Sequence, residues 1–331
     1  MSSHSAAAAP VLRTERLSKS FHVPQPWPRA SRPLFAVNEV SLTLPAGRTL
    51  GIVGESGCGK STLSRLLAGT LQPSSGSIEL EGVDLTTLKG AERTRRLRDV
   101  QMVFQSPYTS LDPRMRVGQA VREPLDVHER SVPVTERNAR AAAMLKRVGL
   151  DAATYFTRFP HELSGGQRQR VGIARALVYR TRVVICDEPV SALDVSVQAQ
   201  VVNLLRELQA ELQVAYVFVS HDLAVVGAIS HEIAVMYLGR VVELGTAREV
   251  LGTPRHPYTQ VLVESTNIPE PVVEKARTPR LLSGEVPSPI DPPSGCPFRT
   301  RCWMATELCS TTIPKLQLRP GVTQLVACHH V

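Results

Sequence analysis

The residues Gly54-Glu55-Ser56-Gly57-Cys58-Gly59-Lys60-Ser61-Thr62 fit the pattern G-x-x-x-x-G-K-[ST]. Such glycines let backbone N–H groups close around an anion, and the start of the following helix adds the positive end of its dipole. Lys60 supplies a point charge and the Ser61 hydroxyl suits a magnesium ion, a combination made for nucleotide β- and γ-phosphates. Cys58 holds a variable position of the pattern and reads as filler rather than as a nucleophile.

Three further groups could do chemistry. "VVICDE" at 183–188 ends an apolar run in Asp187 and Glu188. At the end of a strand, Asp187 can hold magnesium through water and Glu188 can polarise an attacking water, whereas helix capping explains one acid but not both. "LSGGQRQRVGIARAL" at 163–177 opens a helix with Ser164, Gly165 and Gly166, a second anion-binding end made from backbone N–H groups. Finally, Cys296, Cys302, Cys309 and Cys328 gather near the end of the chain with five, six and eighteen residues between them. That spacing matches neither a zinc ribbon nor a ferredoxin run.

The elements that must position these groups are legible in the pattern. From about 48 to 245, short β-branched runs alternate with longer helical ones, as in a parallel α/β sheet whose chemistry gathers at the carboxyl ends of its strands. The runs 48–54, 182–189 and 214–222 read as buried strands, and 61–73, 135–150 and 197–212 read as helices. Between about 106 and 165 the strand pattern lapses, which predicts an inserted helical subdomain. After about 254 proline accumulates, which predicts a linker or an extended wrapping segment.

Composition narrows the class. With 331 residues and 43% hydrophobic content the chain can bury a full core, which excludes a disordered or fibrous protein. No run approaches the roughly 18 apolar residues of a membrane-spanning helix. The start "MSSHSAAAAPVLRTERL" lacks a basic n-region and a signal-length apolar region, so a cytosolic chain is expected. Clustered cysteines there suggest metal before disulfide. The net charge of +8 is spread over scattered arginines without interleaved aromatics. That favours a solvated basic surface, compatible with anionic lipid headgroups, over a nucleic-acid groove.

Taken together, the phosphate loop, Gln105 in "VFQSP", "LSGGQ", "ICDEP", "SALD" (191–194) and His221 in "VSHD" resemble the nucleotide-binding subunit of an ABC transporter over about residues 11–254. The resemblance implies a P-loop NTPase fold: an ABC domain (1–254) with a RecA-like parallel sheet and the helical insert, followed by a cysteine-containing C-terminal extension (255–331). It implies that two such domains face head to tail, with ATP between the phosphate loop of one and Ser164, Gly165, Gly166 and Gln167 of the other. Glu188 would be the general base, His221 the γ-phosphate contact, Asp194 a cross-dimer contact and Gln105 the sensor of magnesium and membrane partner. Ser61, Gln105 and Asp187 would hold the magnesium. Phe21 would stack on adenine, with Trp27 and Phe35 as competitors because residues 22–35 form a longer insert than the family minimum.

"FQSPYTSLDPRMRVGQAVREPL" (104–125) and "TPRHPYTQVL" are similar to the oligopeptide, dipeptide and nickel importer branch. That implies two transmembrane permease subunits, a second ABC ATPase subunit identical or paralogous to this one, and an extracytoplasmic solute-binding protein. It also implies residence on the cytoplasmic face of the membrane and a peptide cargo, with nickel or another small solute as the alternative. A soluble ABC ATPase of DNA repair or translation is the other class, but it usually carries a second nucleotide domain or a long coiled-coil insertion. The ending "CPFRTRC…C…VACHH" resembles the branch's C-terminal motif, some members of which hold a [4Fe–4S] cluster. Cys296, Cys302, Cys309 and Cys328 would be its ligands, with zinc as the alternative and His329 and His330 close by. The expected role is a structural staple for the tail, away from the ATP chemistry.

Overall fold

The computed structural model describes residues 10–24, 31–105, 110–265 and 285–331. Its strands are β1 (Pro10–Val23), β2 (Arg32–Pro45), β3 (Thr49–Val53), β4 (Ser75–Leu80), β5 (Val83–Asp84), β6 (Val100–Val103), β7 (Val183–Asp187), β8 (Ala215–Val219), β9 (Glu232–Tyr237), β10 (Arg240–Thr246), β11 (Gln317–Leu318) and β12 (Leu325–Val326). They form two sheets among the described residues, a smaller one ordered β2-β1-β4-β5 and a larger one ordered β11-β12-β10-β9-β3-β8-β7-β6.

In the larger sheet, β6, β7, β8, β3 and β9 run parallel. Every residue of β3, β7 and β8 is buried, because helices or the smaller sheet cover both faces. That is why these segments read as unbroken apolar runs instead of alternating ones. Successive side chains still point to opposite faces. Tyr216 and Phe218 join one core, with Val184, Cys186, Val235 and Tyr237. Val217 and Val219 join the other, with Ile52, Ile185, Leu63 and the smaller sheet's Leu17 and Leu80.

Between β6 and β7 lie helices Val117–His128, Val134–Arg147 and Ala152–Tyr155, followed by a 3-10 turn at Pro160–Glu162. Ala141, Met144 and Leu145 on one stripe of the second helix enter the core shared with Val171 and Ala174 of helix Gly165–Leu177. No helix among the described residues is long and apolar enough to cross a membrane.

The C-terminal extension differs from a separate staple. β12 pairs with β10, and β11 pairs with β12, so the tail extends the main sheet by two antiparallel strands. Cys296, Phe298 and Cys309 lie in the same hydrophobic core as β7 and β8. Glu243 of β10, fully buried, ties the junction: its carboxylate accepts the Arg255 and His256 N–H groups, each at 2.9 Å, and Gln324 Nε2 at 3.0 Å. A segment too short for a core of its own is buried in the domain's core instead.

Candidate functional site

The carboxyl ends of β3, β6, β7 and β8 meet at one edge, where the ligand sites of open parallel sheets lie. β3 leads directly into the phosphate loop, which ends at helix Lys60–Leu67. Two glycines there are required by geometry. Gly54 has φ 154° and Gly59 φ 105°, and a Cβ on either would come within 2.3 Å of Met236 O or 1.9 Å of Ala36 O. The loop therefore lies against backbone that admits no side chain. Lys60 is buried and folded onto the loop, its Nζ donating to Gly54 O at 2.7 Å and Glu55 O at 3.0 Å. Cys58 is buried, and that burial raises its thiol pKa against the opposing charge of Lys60. It is poorly placed to react as a thiolate.

A cavity of about 250 Å³ opens beside the loop, lined by Ser56, Gly57, Gly59, Lys60, Ser61, Thr62 and Glu188 among others. Phe35 lines it as well. Phe21 is a neighbour on the same hairpin, 39% exposed, with Lys19 Nζ 5.4 Å above its ring. Trp27 lies outside the described residues.

β7 delivers the two acids. Burial pushes the Asp187 carboxyl pKa up; a Ser64 hydrogen bond opposes the rise and the Glu188 charge adds to it. Asp187 Oδ1 is buried without a hydrogen-bond partner among the described residues. An orphaned anionic oxygen beside the Ser61 helix fits a divalent cation, which would satisfy it and reverse the shift. Glu188 takes φ 48°, leaving the strand in a left-handed turn. Its Oε2 accepts Gln105 Nε2 at 2.8 Å, and its Oε1 lies 3.3 Å from His221 Nδ1. Gln105 follows β6 and His221 follows β8, so three strands bring the sequence-predicted trio together.

The "LSGGQ" residues are built as a helix start. The Ser164 hydroxyl accepts the Gln167 N–H at 3.3 Å, and Gln167 Oε1 accepts the Ser164 N–H at 3.0 Å, a closed capping box. Gly165 and Gly166 seat this turn against Leu193 and Val197. Asp194 caps helix Val195–Leu212, and the Ser196 hydroxyl, then the Val197 N–H, hold its carboxyl below the usual range. Ser164, Gly165, Gly166, Gln167 and Asp194 do not line the phosphate-loop cavity of their own chain.

The tail brings in residues that the sequence reading did not connect to this site. Glu55, inside the phosphate loop, donates its N–H to Tyr258 Oη at 2.8 Å, and its carboxylate accepts Arg301 Nη1 at 2.8 Å and Nη2 at 3.0 Å. The expectation that the tail stands apart from the ATP chemistry is thus corrected. Tyr258 belongs to "TPRHPYTQVL", which read only as a family mark; nothing in the spacing pointed back to residue 55.

All six cysteines are free thiols. Cys296 is pushed up to about 11, chiefly by burial, with Cys309, Cys302 and Cys328 adding to the rise. Cys309 Sγ lies 3.4 Å from His330 Nε2, and Cys328 Sγ accepts the His330 N–H at 3.4 Å. Among the described residues, no group of three or more His, Cys, Asp or Glu is placed to hold a metal ion. As placed, the four thiols form neither the cluster site nor the zinc site that the resemblance implies.

Comparison with known proteins agrees with this geometry. Residues 37–191 match the ABC transporter family and residues 242–309 match the oligopeptide/dipeptide transporter C-terminal region. The oligopeptide transport ATP-binding protein OppF of Escherichia coli is 51% identical over 284 residues, 86% of this chain and 85% of that protein. The dipeptide transport ATP-binding protein DppF of Haemophilus influenzae is 44% identical over 322 residues, 97% of each. Among solved structures, the ATP-binding cassette MJ0796, a post-hydrolysis dimer bound to ADP and Pi, is 28% identical with a TM-score of 0.64, covering 72% of this chain and 99% of that one. With the phosphate loop, the two acids and the "LSGGQ" turn in place, the chain belongs to the ABC transporter ATP-binding proteins, in the branch of the oligopeptide and dipeptide transport subunits.

Proposed function

We propose that this chain is the ATP-hydrolysing subunit that energises import of peptides across the cytoplasmic membrane. The observation that carries the reading is the convergence of Gln105, Glu188 and His221 beside the phosphate loop, in a chain similar throughout to peptide-transport ATPases. Lys60 and the loop N–H groups bind the phosphates, and Glu188 takes the proton of the attacking water. Gln105 holds one Glu188 oxygen and His221 lies beside the other; His221 would contact the γ-phosphate once ATP is bound. Ser61, Gln105 and Asp187 would hold magnesium, which would supply positive charge against the phosphate oxygens.

The second half of the ATP site comes from a partner ATPase subunit, whose counterpart of the Ser164 turn closes over this phosphate loop. Two permease subunits follow the motion of the helical insert, and an extracytoplasmic solute-binding protein delivers the cargo. The chain then sits peripherally on the cytoplasmic face. Cell fractionation tests this placement: the chain should sediment with membranes only when the permease subunits are co-expressed. Copurification with ribosomes or DNA instead would assign it to the soluble ABC class.

For the tail, we propose a [4Fe–4S] cluster on Cys296, Cys302, Cys309 and Cys328, a reading that rests on the ending "CPFRTRC…C…VACHH" and on the match of residues 242–309 to the oligopeptide/dipeptide transporter C-terminal region. Such a cluster would lend folding free energy to a short segment. Anaerobic purification followed by iron and acid-labile sulfide analysis should give both; zinc without sulfide, or no metal, rejects it.

A further inference from the structure

ATP chemistry as described leaves two motifs unused, "TPRHPYTQVL" and "CPFRTRC", although both end on the phosphate loop. Glu55 is gripped twice, at its N–H by the Tyr258 hydroxyl and at its carboxylate by both Arg301 nitrogens. Neither grip is a loose surface contact. Tyr258 is fully buried and Arg301 is 8% exposed. The Tyr258 ring lies 4.7 Å from Tyr237 and 5.5 Å from Phe298, and the Arg301 guanidinium stands 6.0 Å over Tyr237.

The support continues below. Tyr258 opens helix Pro257–Glu264, where the buried His256 Nδ1 accepts the Tyr258 N–H at 3.1 Å. The Glu243 carboxylate fixes the two preceding N–H groups. From β10 through the helix to the Cys296–Cys302 turn, rigid structure therefore ends at one residue of a loop that glycines would otherwise leave loose.

We propose that Arg301 and Tyr258 are positioning residues for ATP: by fixing Glu55 they hold the loop's N–H groups convergent before the nucleotide arrives. Preorganised donors bind phosphate without first losing the entropy of ordering the loop. The gain should appear in ATP affinity rather than in the rate at saturation. The proposal rests on the reading of residues 54–62 as the phosphate loop, and one control separates the two.

The experiment is MgATP titration of the full-length chain, with thermal melts and cluster content measured in parallel, followed by KM and kcat in the assembled complex. Lys60→Ala tests the underlying reading, which fails if that variant binds MgATP like wild type. Arg301→Ala and Tyr258→Phe should each weaken MgATP binding about tenfold, the size of one buried hydrogen-bonded pair, and raise KM while kcat holds. Arg301→Lys, which keeps the charge but not the fork, should recover part of the loss. The double variant Glu55→Ala/Arg301→Ala should bind no more weakly than Glu55→Ala alone. Since Arg301 adjoins Cys302, Tyr258→Phe decides the matter if Arg301→Ala fails to fold. Wild-type affinity in Tyr258→Phe, or additive losses in the double variant, would overturn the proposal.

Discussion

Glu188 occupies a left-handed backbone position that costs a non-glycine residue about 1–3 kcal/mol, the kind of strain that collects at functional sites. Its N–H donates to Val219 O at 2.9 Å and its carbonyl accepts the Ser191 hydroxyl at 3.1 Å. Those bonds hold the turn and aim the carboxylate between Gln105 and His221. His256 shows burial acting on a side chain outside that trio. Desolvation lowers its pKa from 6.5 to about 3, against a bond to the Ala327 backbone. The unfolded chain takes up a proton near 6.5 and the folded chain does not, so this contribution to stability is complete above that pH and is lost as pH falls toward 3. Glu243, bonded to the His256 N–H and raised by burial, pulls the other way. The comparison must therefore be with His256→Asn, which keeps a helix cap that does not titrate. Urea denaturation at about pH 7 and about pH 5 should show wild type losing about 2 kcal/mol more than the variant across that interval. Equal losses would contradict a buried neutral imidazole.

Among the elements, those whose signal is local were legible. The runs at 48–54, 182–189 and 214–222 became Thr49–Val53, Val183–Asp187 and Ala215–Val219, because strands covered on both faces are marked by composition alone. The helix expected over 61–73 stops at Leu67, since Gly69 turns left-handed at φ 70°. The helix expected from 197 begins at Val195, because Asp194 accepts the Val197 N–H at 3.0 Å. Strands β11 and β12 were not legible, as two residues carry no alternation and their pairing with β10 is set by tertiary packing. The same limit hid the Arg301–Glu55 pair, which joins residues 246 positions apart. Asp187 and Glu188 could be singled out from sequence because a fixed spacing from a strand end places them; a long-range ion pair has no such signature.

At the scale of the molecule, the proposed function divides each ATP site between two chains. The phosphate loop and Glu188 line one cavity, and the Ser164 turn lies elsewhere. Closure therefore requires a second nucleotide-binding subunit, and hydrolysis releases it. The tail contributes to the first half by bracing Glu55, so sheet, extension and loop act as one body. The most direct test is uptake of labelled oligopeptide by proteoliposomes containing this chain, its partner ATPase, the permease subunits and the solute-binding protein. The wild-type complex should accumulate peptide only with MgATP on the chain's side. The Glu188→Gln complex should still bind MgATP but lose uptake and its own-site hydrolysis by about 10²-fold or more, the size of a lost general base. Undiminished uptake by Glu188→Gln, or ATP-dependent uptake of nickel and no peptide, would contradict the account.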